Sequence, residues 1–302
     1  MSRDEIEDEL FASAPRRIEP AKFQCPRHGD YAPSPRAEWP NLNACPACLE
    51  AAKAIEDGWK QAWATYDRWK RTLAPERFCN RRFTNYQATT AEQLRALAAA
   101  QAVASNDMQA LALIGSVGTG KTHLSVAIVA DAVRAGVECL WVTVPDLFRQ
   151  WKQTFAKGAE TTEQQILDRI NRADLLVLDE IGIDNRSEWE VATLFDLVDT
   201  RYREGGGLVL TGNVTNLASA IGDRAADRID EMGTIVTLTG ASYRGKAADD
   251  PALKIADDFT RPPEKIERTV CHAGKDRRET RERTPPGPQW LGADDGWRRT
   301  AI

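Results

Sequence analysis

The sequence predicts an α/β protein, a domain built on a parallel sheet with helices on both faces, preceded by a small Cys/His-knuckle and helical domain. Three observations predict it. Short apolar runs alternate with helical patterns between residues 76 and 245, and buried strands separated by helices form a parallel sheet covered on both sides. A glycine-rich loop at 115–122 joins one of those runs to a helix. Two Cys/His pairs, Cys25 with His28 and Cys45 with Cys48, stand close together ahead of that block.

The elements follow in order. Residues 1–20 read as a loose acidic leader, and 21–75 hold the Cys/His cluster and then a helical stretch from Leu49 to about Leu73. In the block 76–245, helices are expected at Ala91–Ser105, Lys121–Ala135, Asp146–Lys157, Thr162–Arg172, Ser187–Glu204 and Asn216–Met232. Strands are expected at Leu111–Ile114, Glu138–Val144, Leu175–Asp179, Leu208–Thr211 and Thr234–Leu238. Residues 246–302 are rich in charge, Pro and Gly; with so little apolar surface to bury they are expected to remain a disordered tail. Within it, Trp290 and Trp297 lie near basic residues and suit docking on a partner or a base.

Composition narrows the function. The chain has 302 residues, 42% of them hydrophobic, and a formal net charge of −5, so nucleic-acid binding would have to come from a local patch. No apolar run approaches the roughly 18–20 residues that span a bilayer. The first residues, Met1–Leu10, are too acidic and polar for a signal peptide, so the cytoplasm is the expected compartment. Six cysteines in that compartment are read as thiols or ligands rather than disulfides.

The chemistry starts at Gly115-Ser116-Val117-Gly118-Thr119-Gly120-Lys121-Thr122, which has Walker A spacing. Glycines let backbone N–H groups turn toward a triphosphate, Lys121 reaches the β- and γ-phosphates, and the Thr122 hydroxyl can ligate Mg²⁺. The helix that starts here adds its positive dipole end. Leu175-Leu176-Val177-Leu178-Asp179-Glu180 is a Walker B pattern: Asp179 would hold the Mg²⁺ shell and Glu180 would act as general base on the attacking water. Asn213, after the next apolar strand, can orient that water or can simply cap a turn, with Thr211 a neighbouring candidate. Arg224 and Arg228 are four apart on one helical face. They suit either surface ion pairs with Asp223 and Asp227 or the stabilisation of charge on a transferred phosphoryl. Arg244, beyond the last strand, is either solvated or within reach of the nucleotide.

Cys25-x₂-His28 and Cys45-x₂-Cys48 offer four N/S ligands, the set for a closed tetrahedral Zn²⁺ site of structural type. The segment between the pairs has little core of its own, so metal would supply much of its folding energy. On the helix that follows, Trp59, Trp63 and Tyr66 recur at helical spacing, with Trp69 nearby. Such a stripe packs on the knuckle or on the NTPase domain, or anchors another protein.

Residues 76–246 closely resemble the DnaC/IstB group of AAA+ ATPases, most closely the DnaC-type replicative helicase loaders. The likeness rests on Arg82-Phe83-Thr84-Asn85-Tyr86, on Gly115 through Thr122, His123 and Leu124, on Leu176 through Gly182, on Thr211-Gly212-Asn213, on Gly222 through Arg228, and on Ser242-Tyr243-Arg244. It implies ATP with Mg²⁺ as cofactor and places Gly115–His123 against the nucleotide. Asn213 takes the sensor-1 role and Arg244 the sensor-2 role; Arg228 is the arginine finger acting on a neighbouring subunit, with Arg224 beside it. It also implies that the extra helical stretch, 146–172, faces single-stranded DNA, with Arg149, Lys152 and Lys157 as candidate contacts. Residues 1–75 would grip a ring helicase of the DnaB kind, and ATP would drive self-assembly.

Three functions fit these residues. One is an ATP-dependent loader that delivers a replicative ring helicase to single-stranded DNA and releases it on hydrolysis. A second is an IstB-type transposition helper that binds duplex DNA and recruits a transposase. A third is a zinc-dependent adaptor that binds ATP with little turnover; Glu180 argues against it, because an adaptor needs no base there.

Overall fold

The computed structural model of the protein describes residues 23–32, 43–182, 187–240, 242–243, 259, 261–272 and 275–283. The chain divides into two compact units, Met1–Gln61 with Pro262–Pro286, and Ala62–Arg261 with Gly287–Ile302. Arg244, Trp290 and Trp297 lie outside the described residues.

The first unit contains strands β1 (Phe23–Cys25) and β2 (Gly29–Tyr31), an antiparallel pair with Cys25 opposite Gly29. Helix α1 (Pro46–Thr72) begins in this unit and runs on into the second.

In the second unit α1 is followed by α2 (Ala91–Ala104), β3 (Ala110–Gly115), α3 (Lys121–Arg134), β4 (Cys139–Thr143), α4 (Val144–Gln153), α5 (Glu163–Arg172), β5 (Leu175–Ile181), α6 (Glu188–Glu204), β6 (Gly207–Gly212), α7 (Ala218–Ile221), α8 (Asp223–Met232) and β7 (Gly233–Leu238). The five strands form one sheet in the order β4-β5-β6-β3-β7, every pair parallel. Alternation along each strand sorts its side chains to two faces. Ala112, Ile114, Leu140, Val142, Leu176, Leu178 and Leu210 pack with residues of α4, α5, α6 and α8. Leu111, Leu113, Trp141, Val177, Val209 and Val236 pack with α2 and α3 on the other face. Both faces are buried, which is why these strands read as nearly unbroken apolar runs.

Helix starts obey local chemistry. The side chains of Thr90, Thr162 and Ser187 each accept from the backbone N–H three residues on, and Gln93, Gln165 and Glu190 answer in reciprocal capping boxes. The stretch expected as one helix over Asn216–Met232 is instead two, α7 and α8, parted at Gly222, whose φ of 87° ends the first helix.

The expectation for the tail needs correction. The tail over 246–302 is not structureless throughout: Lys265–His272 (β8) and Lys275–Glu282 (β9) form an antiparallel hairpin in the first unit. For the aromatic stripe of α1, the packing alternative is the one the structure shows. Trp63 and Trp69 are buried; Trp69 stacks on Phe259 with ring centroids 4.2 Å apart and planes at 8°, and Trp63 meets Tyr66 edge-on at 5.6 Å. Trp59 donates its ring N–H to the Pro263 carbonyl at 2.7 Å. These rings are spent on packing within the chain, and burial of so much aromatic area is strongly favourable.

Candidate functional site

Strand β3 lies between β6 and β7 in the sheet, and the phosphate loop springs from its C-terminal end. Gly120 takes a left-handed φ of 97°, and a Cβ there would stand 2.7 Å from the Tyr86 ring. The loop is therefore closed from one side by the Arg82–Tyr86 segment, and only glycine fits that approach. Lys121 opens α3 and is buried; its ammonium donates to the Ser116 carbonyl at 2.6 Å and the Gly115 carbonyl at 3.0 Å. A buried ammonium ringed by loop backbone is the charge a triphosphate needs.

His123, the residue after Thr122, turns away from the loop. Its ring N–H donates to the Arg82 carbonyl at 2.9 Å, and the ring meets Tyr86 edge-on at 5.3 Å. Burial pushes its pKa down to about 4, so the ring is neutral at physiological pH. Its position tethers the Arg82–Tyr86 segment to α3. On the far side of the loop, the Tyr243 backbone N–H donates to the Gly118 carbonyl at 2.9 Å.

Asp179 and Glu180 diverge at the end of β5. The register with β6 shifts between Leu178 and Ile181, and Glu180 adopts a φ of 61°. A non-glycine residue in that region is strained, and such strain gathers at working sites. The kink leaves Asp179 buried and Glu180 exposed. Asp179 accepts from the Thr122 hydroxyl at 3.3 Å, from the Glu180 N–H at 3.0 Å, and from the Thr211 hydroxyl. Burial raises its pKa, and these hydrogen bonds with the nearby Lys121 oppose the rise. A buried carboxylate beside a hydroxyl is a hard-oxygen donor pair suited to Mg²⁺. Thr211, at first only a neighbour of Asn213, proves to be the Asp179 partner. Asn213 is exposed, one residue past the Gly212 that pairs with both Ile114 of β3 and Ile181 of β5.

Arg224 and Arg228 lie on α8 over α6. The two guanidinium groups sit 4.9 Å and 4.8 Å from the Phe195 ring centroid, and Arg228 is also 5.3 Å from that of Tyr202. Arg228 pairs with Asp199 on α6, which also holds Arg203 at 2.8 Å, rather than with Asp223 or Asp227. In the 146–172 stretch, Lys152 pairs with Glu190 at 2.8 Å and Arg149 pairs with Asp146.

In the first unit, the ligand atoms of Cys25, His28, Cys45 and Cys48 all lie within 4.8 Å of one another. The closest approaches are 3.3 Å between Cys48 Sγ and His28 Nδ1, and 3.6 Å for Cys25–His28, Cys45–His28 and Cys25–Cys48. A tetrahedral Zn²⁺ with Zn–S near 2.3 Å and Zn–N near 2.0–2.1 Å sets ligand atoms about 3.5–3.8 Å apart, so the four residues fit that ion. Two come from the β1–β2 turn and two from the start of α1, where unpaired backbone N–H groups favour thiolates. Burial raises the Cys25 thiol, but backbone N–H groups of Arg27 and His28 and contacts with Cys48 and the His28 ring bring it down to about 6.

A parallel five-stranded sheet with a Walker A loop, a Walker B carboxylate pair and α8 arginines defines an AAA+ P-loop ATPase. Residues 67–250 match the family of IstB-like ATP binding proteins. The chain belongs to that family. It is 32% identical over 170 residues to the replicative helicase loader DnaC of Escherichia coli K12, covering 54% of this chain and 69% of that one. The DnaC of Buchnera aphidicola subsp. Baizongia pistaciae is 32% identical over 178 residues, 57% of this chain and 72% of its own. Among solved structures, a crystal structure of the DnaC helicase loader has 24% identity and a TM-score of 0.49, over 55% of this chain and 100% of that one. A DnaI crystal structure has 24% identity and a TM-score of 0.47, over 57% and 95%. No helix among the described residues is long and apolar enough to cross a membrane.

Proposed function

We propose that this ATPase loads a replicative ring helicase of the DnaB kind onto single-stranded DNA, with ATP as the switch. The observation that carries the proposal is the 32% identity to the DnaC helicase loader over 170 residues. ATP lies along the phosphate loop with its β- and γ-phosphates at Lys121, and Mg²⁺, held by Thr122 and Asp179, supplies charge neutralisation when bound. Glu180 takes the proton of the attacking water and Asn213 orients that water. Arg228, with Arg224 beside it, meets the γ-phosphate of a neighbouring copy, and Arg244 senses the nucleotide in its own copy. Contacts that need the γ-phosphate vanish on hydrolysis, so assembly lasts only as long as ATP does.

The DNA contact is assigned to the region of α4 and the start of α6. With Lys152 and Arg149 engaged in ion pairs, Lys157 is the cation assigned to the phosphates. Support comes also from Phe155, 64% exposed, and Trp189, 37% exposed, whose rings lie 6.0 Å apart. Exposed aromatic rings stack on bases without regard to sequence. Helicase contact is assigned to residues 1–75, and structural zinc to Cys25, His28, Cys45 and Cys48.

The test is co-purification of the full chain with a replicative helicase and, separately, with a transposase, in ATP and in ADP. The helicase alone is expected to be retained, in ATP. Glu180→Gln should retain it and hydrolyse ATP about 10²–10⁴-fold more slowly. Retention of the transposase alone would favour the IstB-type reading. Equal hydrolysis by both forms would remove Glu180 as the base.

A further inference from the structure

The hairpin β8–β9 belongs by sequence to the far end of the chain, yet it packs on the Cys/His cluster. Val270, 1% exposed, and Cys271, 0% exposed, share one buried cluster with Cys25, Ala44, Cys45, Cys48 and Ala52. The Cys45 N–H donates to the Cys271 carbonyl at 2.8 Å, and Ala44 bridges His272 in antiparallel fashion. The Cys271 backbone hydrogen-bonds the Cys48 thiol in turn. One ligand residue is thus fixed through its main chain, and another through its sulfur, by the same residue of β8.

Charged groups hold the outer edges of this contact. Arg268 is ion-paired to Glu56 of α1 and, at 2.9 Å, to Glu279 of β9; Arg281 of β9 reaches the same Glu56 at 3.4 Å. Arg27, inside the Cys25–His28 turn, donates to the Thr269 carbonyl and pairs with Asp276, both at 3.2 Å. Arg268 and Glu56 are largely buried, so their pairing matters more than that of surface charges.

We infer that β8–β9 is a structural half of the metal centre, so that hairpin docking and metal retention are one coupled equilibrium. This rests on the reading of Cys25, His28, Cys45 and Cys48 as zinc ligands. Groups that orient a ligand from behind govern affinity alongside the ligands themselves. Linkage makes the effect reciprocal: metal must tighten the hairpin as much as the hairpin tightens metal. The hairpin's composition makes that dependence necessary. Strand β9 reads KDRRETRE with every residue but Glu279 exposed, and it has no apolar face with which to stay folded alone.

Two measurements on the full chain test this. Zinc content is measured first, and zinc transfer to a chromogenic chelator is then timed for wild type and for Arg268→Ala. Transfer is expected to be at least tenfold faster in the variant, with ATP hydrolysis unchanged. In wild type, trypsin cleavage after Arg277, Arg278 and Arg281 is followed by mass spectrometry before and after zinc removal. Removal is expected to accelerate those cuts at least tenfold. Equal cleavage rates in the zinc-loaded and zinc-stripped protein would overturn the coupling, as would equal transfer rates in the two proteins. A wild type that neither carries nor takes up zinc would remove the metal reading itself, and this inference with it.

Discussion

Lys121 and His123 share the first turn of α3 and Asp179 lies in β5, and burial acts differently on the carboxylate and on the imidazole. The Lys121 ammonium is held by two loop carbonyls, and burial pushes Asp179 toward protonation against three hydrogen bonds. His123 is neutral because a cation there would be desolvated. For His123 the consequence is a pH dependence. Its folded pKa is about 4 against an ordinary 6.5, so the unfolded chain takes up its proton first. The stability that this residue contributes is complete above about pH 6.5 and is lost as pH falls toward 4, by about 3 kcal/mol in all. His123→Phe should flatten that part of the stability–pH curve, measured by denaturant unfolding at each pH. Parallel curves for the two proteins would contradict the assignment. The placement of the phosphate loop between β3 and α3, and of the two carboxylates in β5, was legible from spacing alone. The service of Thr211 to Asp179 was not legible: it depends on the strand register, which only the paired sheet reveals.

At the scale of elements, the sheet strands were legible because burial on both faces leaves unbroken apolar runs, as in Leu175–Leu178. The hairpin over 265–282 was not, because β9 carries no apolar alternation to mark it as a strand. The Trp59–Trp63–Tyr66 spacing was legible as a stripe, but spacing does not say what covers it. A further device ties helices together from inside. Arg201 of α6 is buried, and its guanidinium donates to the Ala173 carbonyl at 2.6 Å and to the Ile170 carbonyl, closing the C-terminal end of α5. Carbonyls at a helix end need such donors. Arg201→Met should leave them unpaired and lower unfolding stability by about 2 kcal/mol, read from the denaturant midpoint at unchanged slope. An unchanged midpoint would mean that water replaces the guanidinium.

At the scale of the whole molecule, the proposed function requires an ATP site shared between two copies. The phosphate loop, Asp179 and Glu180 lie at the C-terminal ends of the interior strands β3 and β5, whereas Arg228 is carried on α8, clamped by Asp199, Phe195 and Tyr202. A cation fixed so firmly to its own helix pair is presented as a rigid group rather than a searching one, which suits a docking surface. Arg228→Ala and Lys121→Ala should each abolish most ATP turnover for different reasons, one at the giving face and one at the receiving face. The most direct measurement is ATP hydrolysis by an equimolar mixture of these two variants. Activity well above that of either variant alone is expected, because a Lys121→Ala copy can lend its Arg228 to the intact loop of an Arg228→Ala copy. A mixture no more active than its components, or an Arg228→Ala protein as fast as wild type, would contradict the shared site.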